Sequence, residues 1–347
     1  MTMQFMDGFD HYNTSAIVEK YDFVQTGALE AEIDNSFGRF VNGSIQMQDN
    51  NTGFITKVLK QTSDEIIVGY AFFFTGVNLL MVRFKDATGT TIATHINSGT
   101  GGEVFRGTNS GTSLGTYSGA WTTSTWQFAE IRCKRNATIG EFEVRANGVI
   151  VFSATGLNTG AVDFDQIDFR PTGQNANDLW MDDMYILNTQ GSAPQNTFLG
   201  DVRVTALLPK ANGNTNNFTP TGASNNFEAV DDAIADQDAT FVEAGQLGAK
   251  EDYNQKDFAD LGLSPGTIFG VQVVNSAKKT DAGRLDYKDQ MIIAGTAFDQ
   301  GTDVVATAVT YKMSTFIRDT DPSDSAAWTE AKVAACGSGI EITFREV

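Results

Sequence analysis

The chain has 347 residues, with 43 acidic against 24 basic side chains and a net charge of −19. That length predicts two domains at roughly 150 residues each, and a hydrophobic content of 41% is too rich for a disordered chain. A surface this acidic repels phosphate backbones, so nucleic acid is excluded as the expected partner.

The N-terminal MTMQFMDGFDHY has no basic n-region and no apolar h-region, so it does not read as a signal peptide and synthesis in a cytoplasm is expected. The longest apolar run, Ile66–Phe74, is broken by Gly69 and is too short to span a bilayer, so no membrane insertion is expected. Met3–Phe9 predicts an edge strand ending in Asp7-Gly8-Phe9-Asp10. Ser44–Gln48 and Thr52–Val58 predict two short strands, with turn composition at Asp49-Asn50-Asn51 between them. Glu65–Thr75 is apolar at both parities, which marks a strand covered on both faces in the middle of a sandwich. Leu79–Lys85 and Thr90–Ile96 flank a turn at Asp86–Gly89. Asn97–Ala120 is rich in Gly, Ser and Thr and predicts a loop, with a short strand at Val104–Arg106.

The clearest local signal is Thr125–Phe152. Trp126–Cys133 predicts one strand. Phe142, Val144 and Ala146 then alternate with Glu141, Glu143 and Arg145, the period of a strand with one wet face. Asn147-Gly148 fits a tight type I′ turn, and Val149–Phe152 returns as a third strand. Asp163–Arg170 and Leu179–Leu187 complete the first domain, 1–190. The small, polar Thr189–Asn196 predicts the boundary.

In the second domain, 197–347, strands are predicted at Phe198–Pro209, Thr240–Ala244, Thr267–Val274, Met291–Phe298, Ala306–Ile317 and Ile340–Phe344. Lys210–Asn226 predicts a polar loop. Thr329 predicts the N-cap of a short helix running through Cys336, with Gly337 as its C′ residue. Cys133 and Cys336, far apart in sequence, predict two free buried thiols. The fold class is therefore all-β: two β-sandwich domains, the second smaller and carrying one short helix.

Three segments, WQFAEIRCK, GEFEVRANGVIVF and the DD-containing WMDDMYIL, give residues 1–190 an order of signals that resembles the concanavalin A-like jelly roll, in particular laminin-G-like domains. The resemblance implies that the last strand pairs with the first, around MQFMDGFDHY. In the second half FLGDVRVTALLP, DQDATFVEA, TIFGVQVVNSAKKTDAG and AWTEAKVAACGSGIEI are similar to C-terminal regions of tailed-bacteriophage structural proteins. In those proteins the block often follows a DGFDxY-type sandwich, matched here by Asp7–Tyr12. The resemblance implies a virion component, a decoration, neck or tail-appendage protein. Its implied partners are other virion proteins, further copies of itself and a host surface glycan.

The same fold hosts glycosidases, and Glu30, Glu32 and Asp34 have the alternation that places carboxyls on one strand face. The closing Glu of the retaining β-glucanase pattern is missing, so no catalytic residue is assigned and the wet face of an edge strand is the expected reading; Glu141 and Glu143 are read likewise. A glycoside hydrolase is the alternative. His11 and His95 sit in no nucleophile motif. Laminin-G-like domains often bind calcium, and Asp163, Asp165, Asp168, Asp182, Asp183, Asp231, Asp232, Asp236 and Asp238 supply hard oxygens. None forms a spaced Asp-Gly loop, so no metal ligand is assigned and no cofactor is expected beyond that calcium. Tyr117 and Trp121, before the meander, are the candidate ligand-binding residues, because aromatic faces stack on sugar rings. The competing expectation is that Trp121 caps the core.

Overall fold

In the computed structural model the chain divides into two compact units, Met1–Val204 and Thr205–Val347. The described residues are all except 1, 26–30, 41–42, 48–52, 77–78, 100, 173–178, 307–309 and 347; the expected turn at Asp49-Asn50-Asn51 and the candidate Glu30 lie outside them.

The strands of the first unit are β1 (Met3–Asp7), β2 (Phe23–Gln25), β3 (Ala31–Asp34), β4 (Ser44–Met47), β5 (Phe54–Ser63), β6 (Glu65–Phe74), β7 (Leu79–Lys85) and β8 (Thr91–Ser98). They continue as β9 (Gly101–Arg106), β10 (Thr112–Tyr117), β11 (Gln127–Lys134), β12 (Gly140–Ala146), β13 (Val149–Leu157), β14 (Phe164–Thr172) and β15 (Leu179–Asn188). One antiparallel sheet runs β13-β12-β11-β6-β15-β4-β3, with β1 also on β15; the other runs β10-β9-β8-β7-β14-β5-β2. The sheets face one another through rings such as Tyr70 against Phe169 and Phe84 against Phe142, edge-to-face at 5.8 and 6.0 Å. This is a jelly-roll sandwich.

The local chemistry accounts for the order. The apolar β6 lies between β11 and β15 and is buried almost throughout. In β12 the alternation is realised residue by residue, Phe142, Val144 and Ala146 buried and Glu141, Glu143 and Arg145 partly exposed. Asn147 and Gly148 both have positive φ, 48° and 80°, as a type I′ turn requires. First and last strands pair as the resemblance implies, Met6 opposite Tyr185 and Asp7 opposite Met184.

Several expectations need correction. Residues 97–120 are mostly paired strand, β9 and β10, not loop. Their glycines serve packing: a Cβ at Gly102 would meet the Tyr117 ring, and one at Gly115 would meet the Phe152 ring. The boundary also falls at 204/205, beyond Thr189–Asn196. Residues 199–204 form no sheet ladder, although Phe198–Pro209 looked like a strand. They are held by polar groups of the first unit instead. The Leu199 amide donates to the Tyr185 hydroxyl at 3.2 Å, the Gly200 amide to Glu130 at 2.8 Å and the Val204 amide to Asp183 at 2.7 Å.

The second unit is a smaller β-sandwich. Its main sheet orders Pro209–Asn216, Lys250–Gln255, Cys336–Arg345, Leu285–Ile293 and Thr296–Asp299. A ribbon of Val271–Ala277 and Lys312–Arg318 packs on it through Val273 and Phe316, which share a core with Met291, Ile293, Trp328, Val333 and Cys336. The expected polar loop Lys210–Asn226 contains paired strand. Polar composition hid that strand, which lies at one edge of its sheet. The expected strand Met291–Phe298 is a hairpin, turning at Ala294-Gly295 with φ of 49° and 81°. Thr329 does cap the short helix Glu330–Ala334, its side chain accepting from the Lys332 amide. The helix stops before Cys336, which opens a strand; a Cβ at Gly337 would collide with the Tyr253 carbonyl, so that glycine serves close strand packing. Cys133 and Cys336 are both free and buried.

Candidate functional site

Alternation along β6 sends Phe72 and Phe74 into the sandwich and Phe73 to the opposite face of the sheet. Register carries that position across the sheet. Trp180 of β15 lies opposite Phe73, Gln46 of β4 opposite Trp180, and Glu32 of β3 opposite Gln46. These four side chains therefore form one row, at right angles to the strands, on the outer face. Trp126, just before β11, flanks Phe73 with centroids 5.8 Å apart. Phe37, from the segment after β3, completes the cluster. Its ring lies 5.0 Å from Phe73, 4.9 Å from Trp180 and 5.6 Å from Trp126, on which it stacks. All four rings are partly exposed, whereas Trp121 and Phe128 are 3% and 1% exposed. A ring set that merely closed a core would be buried as those two are.

The segment carrying Phe37 is tied down on both sides. Asp34 accepts the Trp180 indole N–H at 3.0 Å and the Ser36 amide and hydroxyl at 2.9 and 2.6 Å. Burial alone would raise its pKa, but these hydrogen bonds outweigh it and hold the carboxyl below its ordinary range. The Ser44 hydroxyl donates to the Phe37 carbonyl at 2.6 Å, and the Arg39 amide donates to Asp182 at 2.9 Å. The Arg39 guanidinium is committed to Asp183, Asp201 and the Val202 carbonyl. Burial pushes Asp182 and Asp183 upward, with mutual repulsion adding to Asp182 and the Val204 amide and Arg39 opposing the rise at Asp183. Burial likewise pushes Asp10 up to about 8, helped by the charges of Asp183 and Asp7.

Tyr117 and Trp121, the candidate ligand residues from sequence, do not form an open platform. Trp121 packs edge-on against Phe72 at 5.0 Å, and its indole N–H donates to the Tyr117 hydroxyl at 3.3 Å. That hydroxyl also meets His95 Nε2 at 2.7 Å, and burial pushes His95 down to about 3, so the imidazole is neutral. Core capping by Trp121 is what the structure shows. Of the carboxylate run, Glu32 and Asp34 belong to the aromatic row. Glu141 and Glu143 pair with Arg132, Lys134 and Arg145 on the meander. Several expected hard-oxygen donors are engaged by donors or cations: Asp168 by Thr56 and Arg170, Asp163 by Arg135, Asp232 and Asp236 by Thr240, and Asp238 by Lys278. Among the described residues no three His, Cys, Asp or Glu side chains are arranged as a metal-ligand set.

Sequence reasoning missed Phe37, Phe73, Trp126 and Trp180 as a site. Trp126 and Trp180 each lead into a strand signal, which was visible. That they share a face with Phe73 depends on the order β11-β6-β15, which only the topology supplies.

No family profile and no curated protein sequence matches the chain. Among solved structures, a sialidase superposes over 48% of this chain and 17% of its own length, with TM-score 0.36 and 11% identity. The carbohydrate recognition domain of Emp46p superposes over 46% of this chain and 87% of its own, with TM-score 0.35 and 7% identity. A Bacillus subtilis protein with a galectin-like fold gives 48% and 98%, TM-score 0.34 and 10% identity. The chain thus spans less than a fifth of the sialidase, and likeness at this level carries nothing about function.

Proposed function

We propose that the first unit is a non-catalytic glycan-binding sandwich whose contact surface is the row Glu32, Gln46, Trp180, Phe73 and Trp126 with Phe37 above it. The observation that carries this reading is the set of four partly exposed aromatic rings in line with polar side chains on one sheet face. Pyranose rings present an apolar C–H face to an aromatic ring and hydroxyls at their rim. Aromatic faces with neighbouring carboxylate and carboxamide groups match both.

Hydrolysis would ask more of the same residues. A retaining pair needs one carboxyl kept protonated by a raised pKa. Asp34 is shifted the other way, and its oxygens already accept from Trp180 and Ser36. Placement on a phage particle, as a decoration or appendage protein, rests on the sequence resemblance and is part of this proposal; presence of the protein in washed, density-purified particles tests it.

Binding is tested by titrating the intact chain with a panel of soluble oligosaccharides. If a sugar face stacks on a ring as well as a second aromatic ring does, about 0.5–1.5 kcal/mol, Trp126→Ala and Trp180→Ala should each weaken binding about threefold to tenfold, with no release of reducing sugar. Sugar release that Glu32→Gln abolishes would replace this reading with the hydrolase.

A further inference from the structure

The two sides of the first sandwich end differently. On one side the last strands are β3, four residues that include Glu32 and Asp34, and β2, three residues long. Short and charged strands protect a sheet edge from pairing with another chain. On the other side the last strands are β13 and β10. They lie against one another: the Phe152 ring fills the space where Gly115 has no Cβ, 6.5 Å from the Tyr117 ring. Here that protection is missing. β13 is nine residues long, and Ala146–Val162, which contains it, has no charged side chain and no proline in a chain of net charge −19. β10 is uncharged as well. Among the described residues no strand pairs the outer edge of either.

Apolar groups are exposed at both ends of β13. Val149 and Ile150, at its start, are 66% and 54% exposed. Ile139 is 68% exposed and adjoins Gly140, the register partner of Leu157 at the end of β13. The nearby carboxylates of β12 are paired within the chain, Glu141 with Arg132 and Lys134, and Glu143 with Arg145.

We infer that this edge is completed by the same edge of a second copy, β13 against β13, antiparallel about a two-fold axis through Ser153. Such a contact is isologous, so no other segment is needed. With Ser153 on the axis, Val149 of each copy falls opposite Leu157 of the other and Ile150 opposite Gly156. The exposed apolar start of one strand then covers the end near Ile139 on the other. An added Cβ at Gly156 would meet nothing within 4 Å, which leaves room for Ile150. The irregularities of the β12–β13 pairing, at Val151 and at Thr155-Gly156, also fall opposite each other. β13 runs about 30 Å at about 3.3 Å a residue, and two sheets with their side chains are about 20 Å deep, so the edge offers about 600 Å² a copy. A total of about 1,200 Å² is the lower end of stable interfaces, so a concentration-dependent dimer is expected. In the glycan-binding reading both aromatic rows then face the same way, Phe73 to Phe73 seven interstrand steps apart, about 34 Å at about 4.8 Å a step. Dimerisation itself does not depend on that reading.

Sedimentation equilibrium of the full chain tests it. The average mass should climb from one chain towards two as concentration rises, and more readily in salt, which screens the repulsion between two acidic copies. Ile150→Lys, at an exposed position, should hold the protein monomeric over the same range with its circular dichroism unchanged. Ser153→Cys sets two thiols face to face across the axis, with Cα atoms about 4.5–5.5 Å apart, within reach of a disulfide. Cys133 and Cys336 are buried, so mild oxidation should link Ser153→Cys into a covalent dimer and leave Ala87→Cys, on an exposed turn, unlinked. A single-chain mass at every concentration overturns the inference and leaves the edge to a strand of another protein. A dimer that withstands Ile150→Lys and does not cross-link through Ser153→Cys overturns it too, because the copies then meet elsewhere.

Discussion

Asp7, the first residue of DGFDHY, is an internal ion rather than a surface ligand. It and Lys20 are both 0% exposed and pair at 2.7 Å. Tyr12 and Tyr21 donate their hydroxyls to the other carboxylate oxygen at 2.6 and 2.9 Å, and the Phe9 amide donates at 3.0 Å. Burial would raise Asp7, but Lys20 and these donors outweigh it and the group ends below its ordinary range. DGFDHY was legible as the end of a first strand; its electrostatics were not, because Lys20 stands thirteen residues on, across an intervening turn. Asp10, Asp182 and Asp183 behave oppositely. Their folded-state pKa values lie above that of an unfolded carboxyl, so the stability they contribute is complete below about pH 4 and is lost as pH rises, through about 6 for Asp183 and about 8 for Asp10 and Asp182. Asp7 and Asp34, held low, contribute above about pH 4 and lose that contribution on acidification. The melting temperature of the first unit should therefore be higher at pH 5 than at pH 8, and Asp10→Asn should flatten the difference. A rise in melting temperature from pH 5 to pH 8 would contradict this assignment of charges.

Among the elements, the β11-β12-β13 meander was readable from sequence because every signal in it is local. Alternation fixes the face, and Asn147-Gly148 fixes the turn. Space around Gly148 is open, with nothing within 4 Å of an added Cβ. A substitution there is therefore resisted by backbone conformation alone. Gly148→Val should destabilise the first unit by about 1 kcal/mol or more, because a β-branched residue resists positive φ. Thermal melting beside a Gly148→Asn control, which tolerates that conformation better, separates the backbone effect from side-chain bulk; equal melting of all three proteins would contradict it. The β9–β10 hairpin was not readable, because Gly102 and Gly115 in its strands accommodate rings contributed from within and beyond the hairpin, a tertiary cause that composition mistakes for a turn signal. The aromatic row was hidden for a related reason. Its members come from five separate stretches of chain, and only cross-strand register aligns them.

For the whole molecule, two all-β units were legible, and the end of the first was misjudged by the polar character of 189–196. Residues 199–204 look detachable in sequence, yet they satisfy Glu130, Asp183 and Tyr185, all nearly fully buried. Each group keeps another partner, Glu130 and Tyr185 in each other and Asp183 in Arg39, so losing these amide donors costs about 0.5–1.5 kcal/mol apiece. A fragment ending at residue 204 should therefore fold with a cooperative transition. One ending at residue 190 should be markedly less stable, and equal denaturant midpoints for the two would place the boundary back at the polar segment. The central claim is that the outer-face rings are what a glycan covers. Of the four tryptophans, Trp121 and Trp328 are 3% and 4% exposed, while Trp126 and Trp180 are partly exposed. Quenching of tryptophan fluorescence by a soluble quencher thus reports chiefly on the row, and titrating oligosaccharide into the quenched protein is the most direct measurement. The account predicts saturable protection from quenching by at least one soluble oligosaccharide, weakened in Phe73→Ala, which leaves both reporting tryptophans in place. Quenching that no oligosaccharide of the panel changes would contradict it.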